Sequence, residues 1–158
     1  MKTKILALIL VIVMSIATLC SCELLFGKVA DKGDVTVVVE NADGDYLVYE
    51  CMLDNLKNKT EGAKGVIEHL REREENPLTV TMVDSTYGAY VSAIGSIKEN
   101  YAENLYVIVY TSVASDSYDG APTVDYKGIT MYQAGVGLSG MSVEEGTVIL
   151  FRLEKSPY

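Results

Sequence analysis

The chain opens its hydrophobic patterning with a two-residue period. Asp34–Glu40 reads Asp-Val-Thr-Val-Val-Val-Glu, with Val35, Val37 and Val39 on one side, and predicts a strand. Asn41 to Asp45 contains Asp-Gly, a hairpin turn signal because glycine accepts a positive φ. Tyr46 to Leu53 then predicts the return strand, with Leu47, Tyr49, Cys51 and Leu53 on one face and Glu50 on the other. The period changes near Thr60. Ala63, Val66, Ile67 and Leu70 recur at helical spacing and predict a helix from about Glu61 to Glu75, capped by Thr60 and ended by Asn76-Pro77. Glu68 and the run Arg71–Glu75 form its solvated face.

Alternation returns at Leu78. Strands are predicted over Leu78–Met82, Ala89–Ile97, Leu105–Val113 and Thr147–Glu154, with a short hairpin over Thr123–Tyr132 around Lys127-Gly128. Ser92, Ala93, Gly95 and Ser96 are small enough to allow a bulge or a close backbone approach. Leu105–Val113 is apolar on both faces, as a central, covered strand must be. Asp84–Gly88 reads as a bend and Lys98–Asn104 as a polar connection. Ser115–Pro122 reads as a mobile acidic loop and Gln133–Gly140 as a flexible glycine-rich one. Strand, strand, helix and further strands make an α+β fold. One helix packed across a small mixed, mostly antiparallel sheet is the economical way to bury these stripes.

The first 22 residues follow a different logic. Lys2 and Lys4 precede an apolar run of about 15 residues, Ile5–Leu19, and then Cys20-Ser21-Cys22. The run is shorter than the ~20 residues a membrane-spanning helix needs. A basic start, a short apolar stretch and the small Ser21 describe a signal peptide cleaved before Cys22. Leu19-x-Ser21-Cys22 resembles the lipobox of bacterial lipoproteins, which implies a diacylglyceryl group on Cys22. Cys20 is the rival acceptor, but the Leu19 before it is too large. An ordinary secretory signal is the other reading. The expected division is 1–21 signal peptide, 22–33 lipidated tether and 34–158 a single domain. Leu24, Leu25 and Phe26 of the tether suit a lipid interface. The expected location is the extracytoplasmic face of a cell membrane.

Charge narrows the partners. The 158-residue chain has 13 basic and 22 acidic residues. Loss of the leader with Lys2 and Lys4 leaves 11 basic against 22 acidic, a net charge of about −11. Nucleic acid is excluded as a partner by this field. An acidic protein also gains nothing from an anionic lipid surface, so the acyl chains would do the anchoring.

Candidate chemistry is sparse. Cys51 shares the apolar side of its strand and reads as a small core residue. His69 flanks the helical stripe and reads as a boundary residue. Asn41, Asp43 and Asp45 superficially resemble a calcium loop, but the glycine is misplaced for an EF-hand and no glutamate closes it. The glycine-rich stretch lacks dinucleotide and P-loop spacing. With one histidine, no Ser-His-Asp or Cys-His set presents itself, and a non-enzyme is expected. No cofactor is called for.

Three segments carry a family resemblance. They are Ser85–Gly95, Asn104–Tyr110, and Gly135–Leu138 together with Val143–Leu150. The order of helix, Tyr-Gly-x-Tyr-like strand ending in Ile-x-Gly, aromatic strand and acidic-Gly turn resembles a bacterial domain of unknown function related to the C-terminal β-domain of transcobalamin and intrinsic factor. Leu105 stands where that family usually has tryptophan, Thr111-Ser112 where it has Asn-Gly, and Thr147 where its turn ends in an acidic residue. The resemblance runs from about Val35 to Leu153 and implies a β-grasp-like fold. In the vitamin carriers this domain clamps cobalamin together with a helical domain that this chain lacks.

The functional expectation is a non-catalytic binding module for a small ligand, with cobalamin or another corrinoid as the ligand the resemblance implies. Tyr87, Tyr90, Tyr106 and Tyr110 are the candidate binding residues, since flat tyrosine faces pack on planar ligands. The alternative is a surface protein–protein or adhesive module using a sheet edge and the Ser115–Pro122 loop.

Overall fold

The computed structural model describes residues 27–155. The leader, Cys22 and the first part of the expected tether lie outside the described residues. The elements run β1 (Asp34–Glu40), β2 (Tyr46–Met52), α1 (Gly62–Arg71), β3 (Val80–Ser85), β4 (Gly88–Ile94), β5 (Ile97–Lys98), β6 (Leu105–Thr111), β7 (Thr123–Tyr126), β8 (Ile129–Gln133) and β9 (Val148–Lys155). The α+β expectation holds, with the strands divided between two sheets. One has six strands in the order β2-β1-β9-β6-β8-β7, and the other has three in the order β3-β4-β5.

The large sheet is mixed. β1 and β2 form the predicted hairpin, Val37 opposite Tyr49, while β1 and β9 run parallel, Val37 beside Ile149. β9 and β6 are antiparallel along their whole length. The valine alternation of β1 therefore puts Val35, Val37 and Val39 on one face with Ile149, Phe151 and Val107. α1 and the three-stranded sheet cover this face. Ala63, Val66, Ile67 and Leu70 come from the helix and Ala89, Val91 and Ile94 from β4, all buried in one core. Lys64 ties the helix to β3 through Asp84 at 3.1 Å. The opposite face, with Val38, Leu150 and Tyr110, is covered by Tyr126 and Met131 of the β7–β8 hairpin.

Three elements differ from expectation. The helix is shorter at both ends. Thr60 does not cap it, because both its backbone N–H and its Oγ1 bond to Asn58 Oδ1. Gly62, at φ +52°, turns the chain into the helix, and at the other end Leu78 N–H bonds back to Leu70 O. The strand expected over Ala89–Ile97 is broken at Gly95, φ +56°, into β4 and β5. Its predicted bulge is present: Thr81 faces Ala93 and Met82 faces Val91, leaving Ser92 as the extra residue. The Ser115–Pro122 loop is anchored at its start. Asp116 is buried and accepts a 2.6 Å hydrogen bond from Ser142 N–H, and Ser117 bridges Ala134.

Candidate functional site

An apolar cleft of about 420 Å³ lies where the two sheets part. One wall is Gly88–Val91 of β4 and the other is Val107–Val109 of β6. The link from β8, Gln133, Ala134 and Val136–Leu138, closes one end, and Val83, Ser85 and Tyr87 reach the rim. The volume is within the ~300–1,000 Å³ range of small-ligand sites. No Asp, Glu, Lys, Arg or His lines it; the polar side chains are Ser85, Gln133, Tyr87 and Tyr90. Such a lining rewards an uncharged ligand with apolar surface, since a charge placed there would lose its hydration with no partner.

Local sequence explains the shape. Thr86 and Tyr87 form the tight turn between β3 and β4, with Ser85 opposite Gly88. Ser85 Oγ accepts from Tyr87 N–H at 3.2 Å and donates to Gly88 O at 2.7 Å. The glycine-rich stretch is a structural link, contrary to the flexible-loop expectation. Ala134 N–H bonds to Val109 O, and Gly137 N–H bonds to Tyr87 O, both at 2.9 Å, so the stretch spans from one wall to the other. A side chain at Gly137 would sit 2.5 Å from Tyr87 O, so only glycine permits this approach. Leu138 and Ser139 continue into a buried 3-10 turn, and Ser139 Oγ accepts from Ala89 N–H at 3.3 Å.

The four candidate tyrosines fall into two groups. Tyr87 and Tyr90 line the cleft; Tyr87 is 88% exposed and Tyr90 is 40% exposed, so both rings are accessible to a ligand. Tyr106 and Tyr110 point to the opposite face of the large sheet and do not line it. Tyr106 packs against Tyr101, with ring centroids 5.7 Å apart. Tyr110 is buried and donates to Glu154 Oε1 at 3.0 Å. Burial, and then the charge and hydrogen bond of Glu154, push its hydroxyl up to about 12. Arg152 Nε lies 3.1 Å from Glu154 and 3.4 Å from Glu40, an ion pair by distance without an aligned hydrogen bond.

Sequence reasoning missed Val83, Gln133, Ala134 and Val136 as lining residues, because they lie on strands and links that meet only in the folded chain. The remaining candidate groups are unremarkable. Cys51 is buried and its thiol is pushed up by burial, only partly offset by Arg73. His69 is half-buried, and burial, with Arg73 and Lys57 nearby, lowers its pKa. Asn41–Asp45 is a hairpin turn closed by Asn41 N–H to Asp45 O at 2.8 Å. Among the described residues no group of three or more His, Cys, Asp or Glu is placed to hold a metal, and no helix is long and apolar enough to cross a membrane.

Solved structures of similar fold exist. A protein from Ruminococcus gnavus ATCC 29149, to which metal binding has been ascribed, superposes with a TM-score of 0.52 at 13% identity over 78% of this chain and 98% of that one. Haptocorrin in complex with Cbi superposes with a TM-score of 0.51 at 14% identity over 78% of this chain. The likeness is one of fold, to the part of haptocorrin that the chain superposes on. The chain spans only 25% of the length of haptocorrin, itself a transcobalamin-family protein. No family model and no curated protein matches the sequence.

Proposed function

We propose that this protein is a non-catalytic binding module, held by a lipid on Cys22 at the extracytoplasmic face of a bacterial membrane, and that the cleft between β4 and β6 is its ligand site. The observation that carries the reading is the cleft itself, apolar and free of ionised side chains, with two exposed tyrosines at its mouth. The lining favours a ligand that turns apolar surface, and no ionised group, toward the cleft. Cobalamin or an incomplete corrinoid is the first candidate, supported by the likeness of fold to haptocorrin and by haptocorrin having been solved in complex with Cbi. The β1–β2 hairpin, α1 across the sheet and β9 parallel to β1 support a β-grasp-like description of that fold.

The test is a calorimetric and visible-absorbance titration of the purified protein with cobalamin and cobinamide. A Kd at or below ~10 μM, about −7 kcal/mol, that weakens in Tyr87→Ala and Tyr90→Ala supports the corrinoid reading. No saturable signal overturns it. The anchor has a separate test: Cys22→Ala should abolish acylation and release the protein from membranes, and unchanged membrane retention would contradict it.

A second reading, a protein-contact module without a small ligand, is favoured by β2. This edge strand exposes Leu47, Val48 and Met52. An apolar sheet edge is a template for pairing with another chain.

A further inference from the structure

We propose that the corner of the fold around Ser139, with Tyr87 and Val136 exposed beside it, rests in the headgroup region of the bilayer that holds the lipid on Cys22. The mouth of the cleft then lies at the membrane surface. The inference rests on the proposed anchor and adds the surface that the anchor brings to the lipid.

The reach of the chain carries it. The tether expected to run to residue 33 is fixed to the fold well before that point. Gly27 is buried, and its N–H bonds to Ser139 O at 2.8 Å. Val143 N–H bonds to Lys28 O at 2.6 Å and Ala30 N–H bonds to Val143 O at 2.8 Å, with Val29 in a parallel bridge to Val143. A side chain at Gly27 would sit 1.9 Å from Met141 O, so the backbone there is packed hard against its neighbour. Five residue steps therefore separate Cys22 from the first fixed position, a span of at most ~18 Å.

Ser139 sets which part of the fold lies nearest. Its carbonyl takes Gly27 N–H and its Oγ accepts from Ala89 N–H at 3.3 Å, so the entry of the chain and the start of β4 flank one residue. Two residues earlier, Gly137 N–H bonds to Tyr87 O at 2.9 Å. The other end of β4 is far from the entry. There Gly95 lies against Val39 and Leu47, and Ser96 Oγ bonds to Asn41 Oδ1 at the β1–β2 turn. The 7 residues of β4 put about 20 Å between these ends. Seating the Asn41–Asp45 turn on the bilayer would lift Gly27 about 20 Å above it, beyond the fully extended tether.

The chemistry of this corner suits lipid. Tyr87 is the most exposed large apolar or aromatic side chain among the described residues. Val83, Tyr90 and Val136 are exposed as well, and all four line the one cleft. Clustered apolar exposure of this kind marks an interaction surface. Tyrosine fits the headgroup layer, where its ring meets acyl chains and its hydroxyl stays wet. Charge is not the attraction: the chain is acidic, and Lys64 is held by Asp84 and Glu61 at 3.1 and 3.4 Å. The anchor keeps the local concentration high, so a contact too weak to hold a free protein is enough to orient a tethered one.

The test uses the full-length lipidated protein on phosphatidylcholine vesicles that carry a nitroxide lipid at headgroup depth. A thiol-reactive fluorophore is placed on Val136→Cys at the proposed contact, on Asp43→Cys at the far turn, or on Val48→Cys of the edge strand β2; Cys51 is buried and stays unlabelled. The nitroxide should quench the label at 136 severalfold more than those at 43 and 48, with little dependence on salt. Tyr87→Ala should reduce the quenching at 136 while the protein still floats with the vesicles. Where the vesicles retain the protein, equal quenching at the three positions, none at all, or the strongest at 43 or 48 overturns the seating and leaves the anchor standing. Quenching at 136 that Tyr87→Ala leaves unchanged also overturns it. Protein that does not float with the vesicles overturns the anchor, and the seating fails with it.

Discussion

Tyr46 and Tyr126 meet edge to face, with ring centroids 5.1 Å apart and planes at 78°. They belong to β2 and β7, the two outermost strands of the six-stranded sheet. The contact is made because the β7–β8 hairpin holds β6 only at Tyr110 and Thr111 and then folds across the sheet. The sheet thereby wraps over itself and shields the face that carries Val38 and Leu150. The relationship predicts coupling between edges distant in strand order. Tyr126, 5% exposed, should lose about 3 kcal/mol of stability as Tyr126→Ala, and Tyr46→Ala less because its ring is 40% exposed. A double-mutant cycle by chemical denaturation should show a coupling of about 1 kcal/mol. Strict additivity would mean that the rings touch without stabilising the wrap.

Tyr110 predicts an alkaline limb. Its folded pKa is raised to about 12 by burial and by Glu154, against about 10 in an unfolded chain. The neutral hydroxyl is the form the fold favours. Its contribution to stability is therefore fully present below pH ~10 and is lost as pH rises through about 12. Tyr110→Phe should flatten the loss of stability in that window, measured by denaturant midpoints across pH. In the native protein one tyrosine should ionise well after the exposed ones in a near-ultraviolet titration.

Asp116 runs against the usual carboxylate behaviour. Burial raises its pKa from the ordinary 3.8, and the hydrogen bond from Ser142 only partly opposes this. Its contribution is largest below the unfolded value and is lost as pH rises through the raised folded one. Asp116→Asn keeps an acceptor for Ser142 N–H and removes the buried charge. The variant should be more stable than the native chain at neutral pH, with the advantage vanishing in acid. A variant equally destabilised at every pH would show that the carboxylate acts through its hydrogen bond alone.

Gly137→Ala should cost about 1–3 kcal/mol, because the added methyl would meet Tyr87 O at 2.5 Å and force the link off the turn. Gly137 sits at φ −69°, so the penalty is one of contact and not of backbone conformation. An exposed glycine with open space, such as Gly120, gives the comparison: any loss there would come from its φ of +76°.

Much of the fold was legible because local signals and tertiary packing agree. The alternation of Val35, Val37 and Val39, the Asp43-Gly44 turn, the helical stripe through Leu70 and the Lys127-Gly128 turn each specify an element without help from elsewhere. Gly95 was less legible: in sequence it resembles a bulge residue, and only its positive φ makes it a hairpin turn. The cleft could not be read at all. Its walls are more than a dozen residues apart in sequence, and its end wall is a glycine-rich stretch whose order comes from hydrogen bonds to Tyr87 and Val109. The tyrosines show the same limit. Parity along β6 places Tyr106 and Tyr110 on a common face, but whether that face looks onto a cleft depends on where β4 and β8 go.

The most direct test of the ligand site is the backbone amide spectrum of the isotopically labelled protein during a titration with cobinamide. The account predicts shifts gathered at Gly88–Val91, Val107–Val109 and Ala134–Leu138. Shifts gathered instead around Tyr106, Tyr110 and Glu154, or along β2 with the cleft silent, would contradict it.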